Sequence, residues 1–188
     1  MKKIFIILIC VVIVLVIGRA ILMNTEDKYS YEDENTLYSV EINDEIIRFE
    51  RYDYSLGQNQ VVGVQKSVDQ GKTFENITEE NLIVSMEAKF IFLNENLGFA
   101  ISKPDLTKYN DYLGLKVTQD GGKTFIDGKI NYDDPDIEIL TVEEVPYLEN
   151  NELKLKCSIY QLNDDRTGYE DVELIFVSAD DGSTWNIR

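Results

Sequence analysis

Residues 67–74 read SVDQGKTF, and the same motif returns as TQDGGKTF at 118–125 and as SADDGSTW at 178–185. Each copy follows an apolar run, and Asp69, Asp120 and Asp180 are separated by 51 and 60 residues. A recurring motif at intervals of this size indicates a repeated structural unit. The sequence therefore predicts three units, each with the motif at the end of a strand.

Each position of the motif suits a tight turn between two strands. Glycine adopts positive φ without steric cost, the Asp carboxylate accepts hydrogen bonds from turn amides, and the leading hydroxyl adds a bond at the strand end. The β-branched Thr is expected to begin the next strand, and the final ring is expected to be buried between layers. These structural roles are assigned to Ser67, Asp69, Gly71, Thr73, Phe74, Thr118, Asp120, Gly122, Thr124, Phe125, Ser178, Asp180, Gly182, Thr184 and Trp185.

The chain after the N-terminal segment has β-strand patterns throughout. Tyr38, Val40 and Ile42 alternate with polar residues, which is the period of a strand with one buried face. The apolar period then slips by one residue between Phe49 and Tyr52, and such a slip indicates a β-bulge. Three strands before each motif and one strand after it make four strands per unit. In the second and third units the strands before the motif are predicted at 88–93, 99–102, 112–117, 137–145, 152–162 and 172–177.

The pattern Ser/Thr-x-Asp-x-Gly-x-Thr-Phe/Trp resembles the Asp box, or BNR repeat, of sialidases and related β-propellers. The resemblance covers eight residues in each of three places and implies an all-β, propeller-like array of three four-stranded blades. The middle unit, from FIFLNENLGFAIS to VTQDGGKTF, also looks like a blade of the photosystem assembly factors. Closed propellers need four to eight blades. The alternatives for three blades are an open arc, a homodimer that joins two arcs, a compact sandwich-like packing, or the remnant of a longer ancestor.

The resemblance also implies an alternative function, that of a divergent sialidase-like glycoside hydrolase. Sialidases use three arginines on the substrate carboxylate, a tyrosine nucleophile with a glutamate partner, and an aspartate acid/base. The arginines after the N-terminal segment are Arg48, Arg51, Arg166 and Arg188, and the RFER stretch at 48–51 is not the Arg-Ile-Pro type motif of those enzymes. We therefore predict no enzyme activity and assign no catalytic residue.

Composition narrows the chemistry further. The chain has no histidine, which excludes Ser-His-Asp, Cys-His and His-zinc sites. No stretch fits the EF-hand pattern, so no metal and no cofactor are predicted. Cys157 alternates with Leu155 and Ile159 and is expected to be a small buried core residue.

The N-terminal sequence MKKIFIILICVVIVLVIGRAILMN predicts an exported protein. Residues 1–23 combine two lysines with an apolar stretch that is long enough to span a bilayer, and its uninterrupted part, 4–17, has the length of a signal-peptide core. We predict an uncleaved anchor at 1–23 that contacts the membrane through 4–23, with a cleaved signal peptide as the alternative. Residues 24–35 are predicted to be an acidic linker, and 36–188 the repeat domain. The domain then lies outside the cytoplasm, attached to the membrane or secreted.

The chain is strongly acidic. Eighteen Lys and Arg residues stand against 35 Asp and Glu, for a net charge of −17. Such a surface repels phosphate backbones, so no nucleic-acid partner is predicted. We expect a non-catalytic binding or assembly scaffold for an extracytoplasmic protein or glycan. Its ligand surface is expected at the strand ends opposite the motifs, or in the loops 103–111 and 163–171.

Overall fold

A computed structural model describes residues 34–102, 114–131, 137–142, 144–162 and 168–188 of the chain. Within these ranges the protein is all-β without a helix, and a sheet is curled into a half-barrel. Residues 35–188 form one compact unit. In the ranges just given there is accordingly no helix of the length and apolarity needed to span a bilayer. The predicted anchor at 1–23, and all of the predicted linker up to residue 33, lie outside the described residues.

The first sheet is an antiparallel meander with the first motif between its third and fourth strands. The turn between its first two strands places Asn43 and Asp44 at positive φ, as the right-handed strand twist requires. The pairing register slips between Arg51 and Asp53, so the predicted bulge is confirmed. The strands, in the order β1–β2–β3–β4 with β5 also paired to β3, are β1 Thr36–Ile42, β2 Glu45–Ser55, β3 Asn59–Ser67, β4 Glu75–Asn76 and β5 Leu82–Ser85.

The second and third sheets repeat this plan. The second motif joins the third and fourth strands of the second sheet, which are β6 Lys89–Phe92, β7 Gly98–Ile101, β8 Leu115–Thr118 and β9 Ile126–Asp127. The strands of the third sheet are β10 Lys129–Asn131, β11 Ile137–Val142, β12 Tyr147–Glu149, β13 Glu152–Leu162, β14 Tyr169–Ser178 and β15 Thr184–Ile187. The third motif lies between β14 and β15, β10 pairs with β15 in parallel, and β11 and β12 both pair with β13.

Two apolar layers fill the spaces between the three sheets. The middle sheet contributes to both layers, because successive side chains of a strand point to opposite faces. Phe99 and Ile101 of β7 face the third sheet, while Ala100 between them faces the first. Cys157 is fully buried in the layer against the third sheet, as predicted. This arrangement holds the three motifs in fixed positions on a common support.

The structure differs from the sequence prediction in two details. Thr73 and Thr124 do not begin strands, because β4 and β9 start two residues later, and Thr184 alone begins its strand. The short strands β10 and β12 were not predicted. Each of them pairs with a strand that other segments already border, so the pairing depends on the tertiary fold and has no local sequence signal.

Gly182 provides a test of the contact between the second and third sheets. A Cβ at this position would lie 2.5 Å from Phe99 and 3.4 Å from Trp185, whereas the nearest atom at Gly57 is 3.8 Å away. Both glycines have positive φ, +84° and +74°. Gly182→Ala is therefore expected to lower the free energy of unfolding by about 1–3 kcal/mol more than Gly57→Ala. Urea unfolding of the two variants measures the difference, and equal losses would contradict the packing.

Candidate functional site

In the first motif, the side chains of Ser67, Asp69 and Thr73 form the hydrogen bonds that close the turn. Ser67 Oγ donates to Asp69 Oδ1 at 2.8 Å and accepts the Gly71 N–H at 2.8 Å. Asp69 Oδ1 accepts the Thr73 N–H at 2.9 Å, and Asp69 Oδ2 accepts the Thr73 hydroxyl at 2.7 Å. Gly71 has a φ of +82°, which brings its N–H back toward Ser67.

The other two motifs repeat this network atom for atom. In the second, Asp120 accepts from the Thr124 N–H at 3.0 Å and from its hydroxyl at 2.6 Å. In the third, Asp180 accepts from the Thr184 N–H at 2.8 Å and from its hydroxyl at 2.7 Å. Both oxygens of each carboxylate are thus bonded within their own turn. In each motif these hydrogen bonds close the turn between two strands.

The hydrogen bonds also stabilise the charged form of each carboxylate. The backbone N–H of Thr73, with its hydroxyl and that of Ser67, lowers the pKa of Asp69 to about 2. The backbone N–H and hydroxyl of Thr184 lower the pKa of Asp180 in the same way. At Asp120, partial burial raises the pKa, but the hydrogen bonds from Thr124 outweigh it and the pKa lies below its usual value.

The terminal rings of the motifs are not equally buried, which corrects the sequence prediction. Trp185 is fully buried and its Nε1–H donates to the Gly182 carbonyl at 2.8 Å. Phe74 and Phe125 are only half-buried. Phe125 lies 6.1 Å from the Phe49 ring, at the margin of the first apolar layer. The positions of the first two rings on the edges of their sheets leave one side of each ring outside the core.

The motifs join successive units, a role that the sequence did not indicate. The Glu79 N–H donates to the Lys123 carbonyl and the Lys129 N–H donates to the Ser183 carbonyl, both at 2.9 Å. Each acceptor directly follows a motif glycine, and Lys129 itself lies in β10, at the edge of the third sheet. Gln119 of the second motif also reaches the third, where its Nε2 donates to the Ser183 hydroxyl at 2.9 Å. The turn of one unit is therefore part of the contact with its neighbour.

Thr78 forms a second link between the first two units. It is buried, accepts the Val64 N–H at 2.6 Å, and donates to the Gly122 carbonyl at 3.0 Å. A Cβ at Gly122 would lie 2.8 Å from the Val64 side chain. The second motif therefore fits directly against β3 of the first sheet.

Arg48, the arginine nearest to the first motif, is committed to structural contacts. Its Nη2 and Nε donate to Gln65 Oε1 at 2.8 and 3.1 Å, and Nε lies 3.3 Å from a Glu50 carboxylate oxygen. The guanidinium carbon is 3.8 Å from the centre of the Phe74 ring. Glu50 also accepts the Thr36 hydroxyl at 3.0 Å. Arg48 therefore covers the exposed side of the motif ring and pairs a nearly buried carboxylate.

The other groups considered for chemistry are dispersed. Arg51 donates to Asn35 Oδ1 at 3.2 Å, Arg188 pairs with Glu152 at 3.2 Å, and Arg166 lies outside the described residues. Among the described residues, no three His, Cys, Asp or Glu side chains are grouped so that they could hold a metal ion. The structure thus does not bring the predicted motif residues and the arginines into one centre.

Exposed apolar side chains gather at the end of the first sheet that lies opposite its motif. Tyr52, Tyr54, Leu56, Ile83 and Met86 surround this end, and we call them the apolar end patch. Tyr52 and Ile83 lie on the face of Gly63 and Val61, whereas Tyr54 is paired with Gln60 and lies on the opposite face. Leu56 at the β2–β3 turn is 92% exposed, Ile83 on β5 63% and Tyr54 62%. Two signals in the sequence mark the patch: Tyr52 lies at the bulge and Tyr54 follows it, and the stretch IVSM at 83–86 is apolar at three of its four residues.

The patch lies at the strand ends where a ligand surface was predicted. The Met86 N–H donates to the Gln58 carbonyl at 2.9 Å, which joins the end of β5 to the β2–β3 turn. Tyr52 lies over Gly63, where a Cβ would be 2.6 Å from the ring. The two loops proposed for the same role lie largely outside the described residues, at 103–113 and 163–167.

No protein-family model matches the chain, and no curated protein matches it. The resemblance to the Asp-box family thus rests on eight residues in each of three places.

The lowered pKa values give the turns a defined acid response. A carboxylate whose pKa is lower in the folded state stabilises the fold fully above the unfolded value near 3.8, and the effect is lost as pH falls through the folded value of about 2. The stability difference between the wild type and Asp69→Asn should therefore be constant from neutral pH to about pH 4 and shrink below it. Urea unfolding at a series of pH values tests this. Asp181→Asn, at a variable position of the third motif, is the control, and a difference that grows on acidification would contradict the prediction.

The contacts of Arg48 predict a structural penalty for its removal. Arg48→Met leaves the Glu50 carboxylate, with a side chain 8% exposed, without its cation, and we expect a loss of about 3 kcal/mol in unfolding free energy. The double variant Arg48→Met with Glu50→Gln should lose less. Arg188→Met removes a pair in which both partners are well exposed and should cost under about 1 kcal/mol. If Arg48→Met has the unfolding free energy of the wild type, the contacts of Arg48 with Glu50, Gln65 and Phe74 contribute nothing to stability.

Proposed function

We propose that the chain is an exported, membrane-tethered scaffold of three Asp-box blades that binds an extracytoplasmic protein without catalysis. The observation that carries the proposal is the apolar end patch on an otherwise strongly acidic chain. Exposed apolar side chains gathered at one end of a sheet are typical of an interaction surface. The apolar N-terminal run, with two lysines before it, is the basis for the tether and for the location outside the cytoplasm.

The blade assignment is supported by the repeated topology. Each sheet contains a four-strand antiparallel path with the motif between its third and fourth strands, and the sheets pack face to face through apolar layers. The backbone hydrogen bond from Glu79 to Lys123 of the second motif recurs as the bond from Lys129 to Ser183 of the third motif. Repetition of one contact between neighbours is a property of repeat proteins.

The array is proposed to be open, because its two outer faces carry ion pairs. On the third sheet Lys154, nearly buried, pairs with Glu149, and Lys156 pairs with Glu173 at 2.8 Å. On the first sheet Arg48 pairs with Glu50. Terminal repeats of such arrays need polar outer faces, whereas a face that closed a propeller would bury the exposed carboxylates of Glu149 and Glu173 as well.

A hydrolase has less support from the geometry. The carboxylates of the three motifs are bonded to their own turns, and Arg48 is bonded to Gln65 and lies over Phe74. None of these groups is presented to a substrate.

Site-specific photo-crosslinking in the cells that produce the protein tests the proposal. A benzophenone amino acid in place of Leu56, within the patch, should give a discrete covalent adduct with a second protein. The same group in place of Leu148, which is 59% exposed on β12 of the third sheet, is the matched control and should give none. No adduct at Leu56, or equal adducts at both positions, would contradict the assignment of the patch.

A further inference from the structure

The strand β5 differs from the other strands at the sheet edges. It consists of Leu82, Ile83, Val84 and Ser85 and holds no charged residue. Proteins normally protect an edge strand with a charge, a proline or a bulge, because its unpaired backbone groups attract another strand. Every other described edge strand follows this rule, with Glu41 in β1, Glu75 in β4, Lys89 in β6, Asp127 in β9, Lys129 in β10, Glu138 in β11 and Glu149 in β12.

In β5, the backbone N–H and C=O groups of one residue, Ile83, are available to pair with a further strand. Leu82 and Val84 are buried and face the first apolar layer. The Ser85 N–H donates to Ser102 Oγ at 2.8 Å and so points away from β3. Alternate residues of a strand direct their backbone groups to the same edge, so the N–H and C=O of Ile83 point outward as well. No described residue bonds these two groups on that side.

The surroundings of β5 select the chemistry of an occupant. The Ile83 side chain is exposed beside Val61 of β3, and Tyr52 of the same patch lies on the same face. Acidic side chains border the strand: Glu79 and Glu80 are exposed just before it, and Asp53 is exposed across β3 from it. An apolar strand with cations at its ends would match both features. A second copy of the acidic chain would instead place like charges against each other.

We propose that the outer edge of β5 binds an extended apolar segment with basic ends, taken from a partner protein, as an added strand of the first sheet. Main-chain hydrogen bonds to Ile83 provide affinity, and the exposed apolar side chains around it provide the contact surface. This proposal rests on the proposed binding function and names the mode in which the apolar end patch acts.

Because main-chain pairing tolerates different sequences, a model strand serves as the probe. The fluorescein-labelled peptide KKTVTVTVKK should bind the full chain, held in detergent micelles, in a fluorescence polarisation titration. Ile83→Lys places a charge on the edge and should weaken binding by about tenfold or more. Ile126→Lys, at an equally apolar position that is 47% exposed on the edge strand β9, is the matched control and should leave the affinity unchanged.

A second peptide separates strand pairing from simple charge attraction. The same sequence, N-methylated at its central residues, keeps all its lysines but cannot donate main-chain hydrogen bonds, and should also bind about tenfold more weakly. Both variants should keep the wild-type melting temperature, since each substitution is at an exposed side chain.

Three results would overturn the proposal. The first is no binding of the peptide to the wild type. The second is equal binding of the methylated peptide, or equal loss with Ile126→Lys, either of which assigns the affinity to charge alone. The third is a wild-type dimer in light scattering that Ile83→Lys converts to monomer, which makes a second copy the occupant. An adduct at Leu56 with a failed peptide experiment would leave the binding function intact and remove only the strand-addition mode.

Discussion

The rest of the structure depends on the bond between each motif aspartate and the threonine four residues later. Asp69 accepts both the N–H and the hydroxyl of Thr73, so one carboxylate fixes the direction in which the chain leaves the turn. The position of each turn then determines where its backbone carbonyl lies. The carbonyls of Lys123 and Ser183 accept hydrogen bonds from segments that come earlier in the chain. Local turn chemistry and contact between units are thus one network, and a change in the first propagates to the second.

Local features of the fold could be predicted from the sequence, because local residues determine them. The three turns, the bulge after Phe49 and the four-strand order of each unit all follow from residue types that are close together along the chain. The burial of the rings could not be predicted in the same way. Phe74 and Trp185 occupy equivalent positions, yet Phe74 is covered by Arg48 from a neighbouring strand while Trp185 is enclosed by the core. The difference lies in partners that are distant in sequence.

The apolar end patch, likewise, could be predicted from the sequence only in part. Its tyrosines and its apolar stretch at 83–86 are visible in the sequence, but their proximity depends on β5 pairing with the first half of β3, beyond β4. A strand of four residues with a mixed environment has no clear period, so its edge position emerges only from the sheet. The net negative charge of the chain is evident from the sequence. The structure adds the location of two acidic residues, Glu79 and Glu80, which directly precede the uncharged strand β5.

Two backbone hydrogen bonds to the motif turns share one feature, which is that the donor precedes the acceptor along the chain. The donors, Glu79 and Lys129, come before the second and third motifs, and the acceptors, Lys123 and Ser183, lie within those motifs. A ribosome releases the donor first, so each new unit meets a neighbour whose strands have already been made. The chain can therefore fold as it is synthesised, with each turn docking onto the sheet before it.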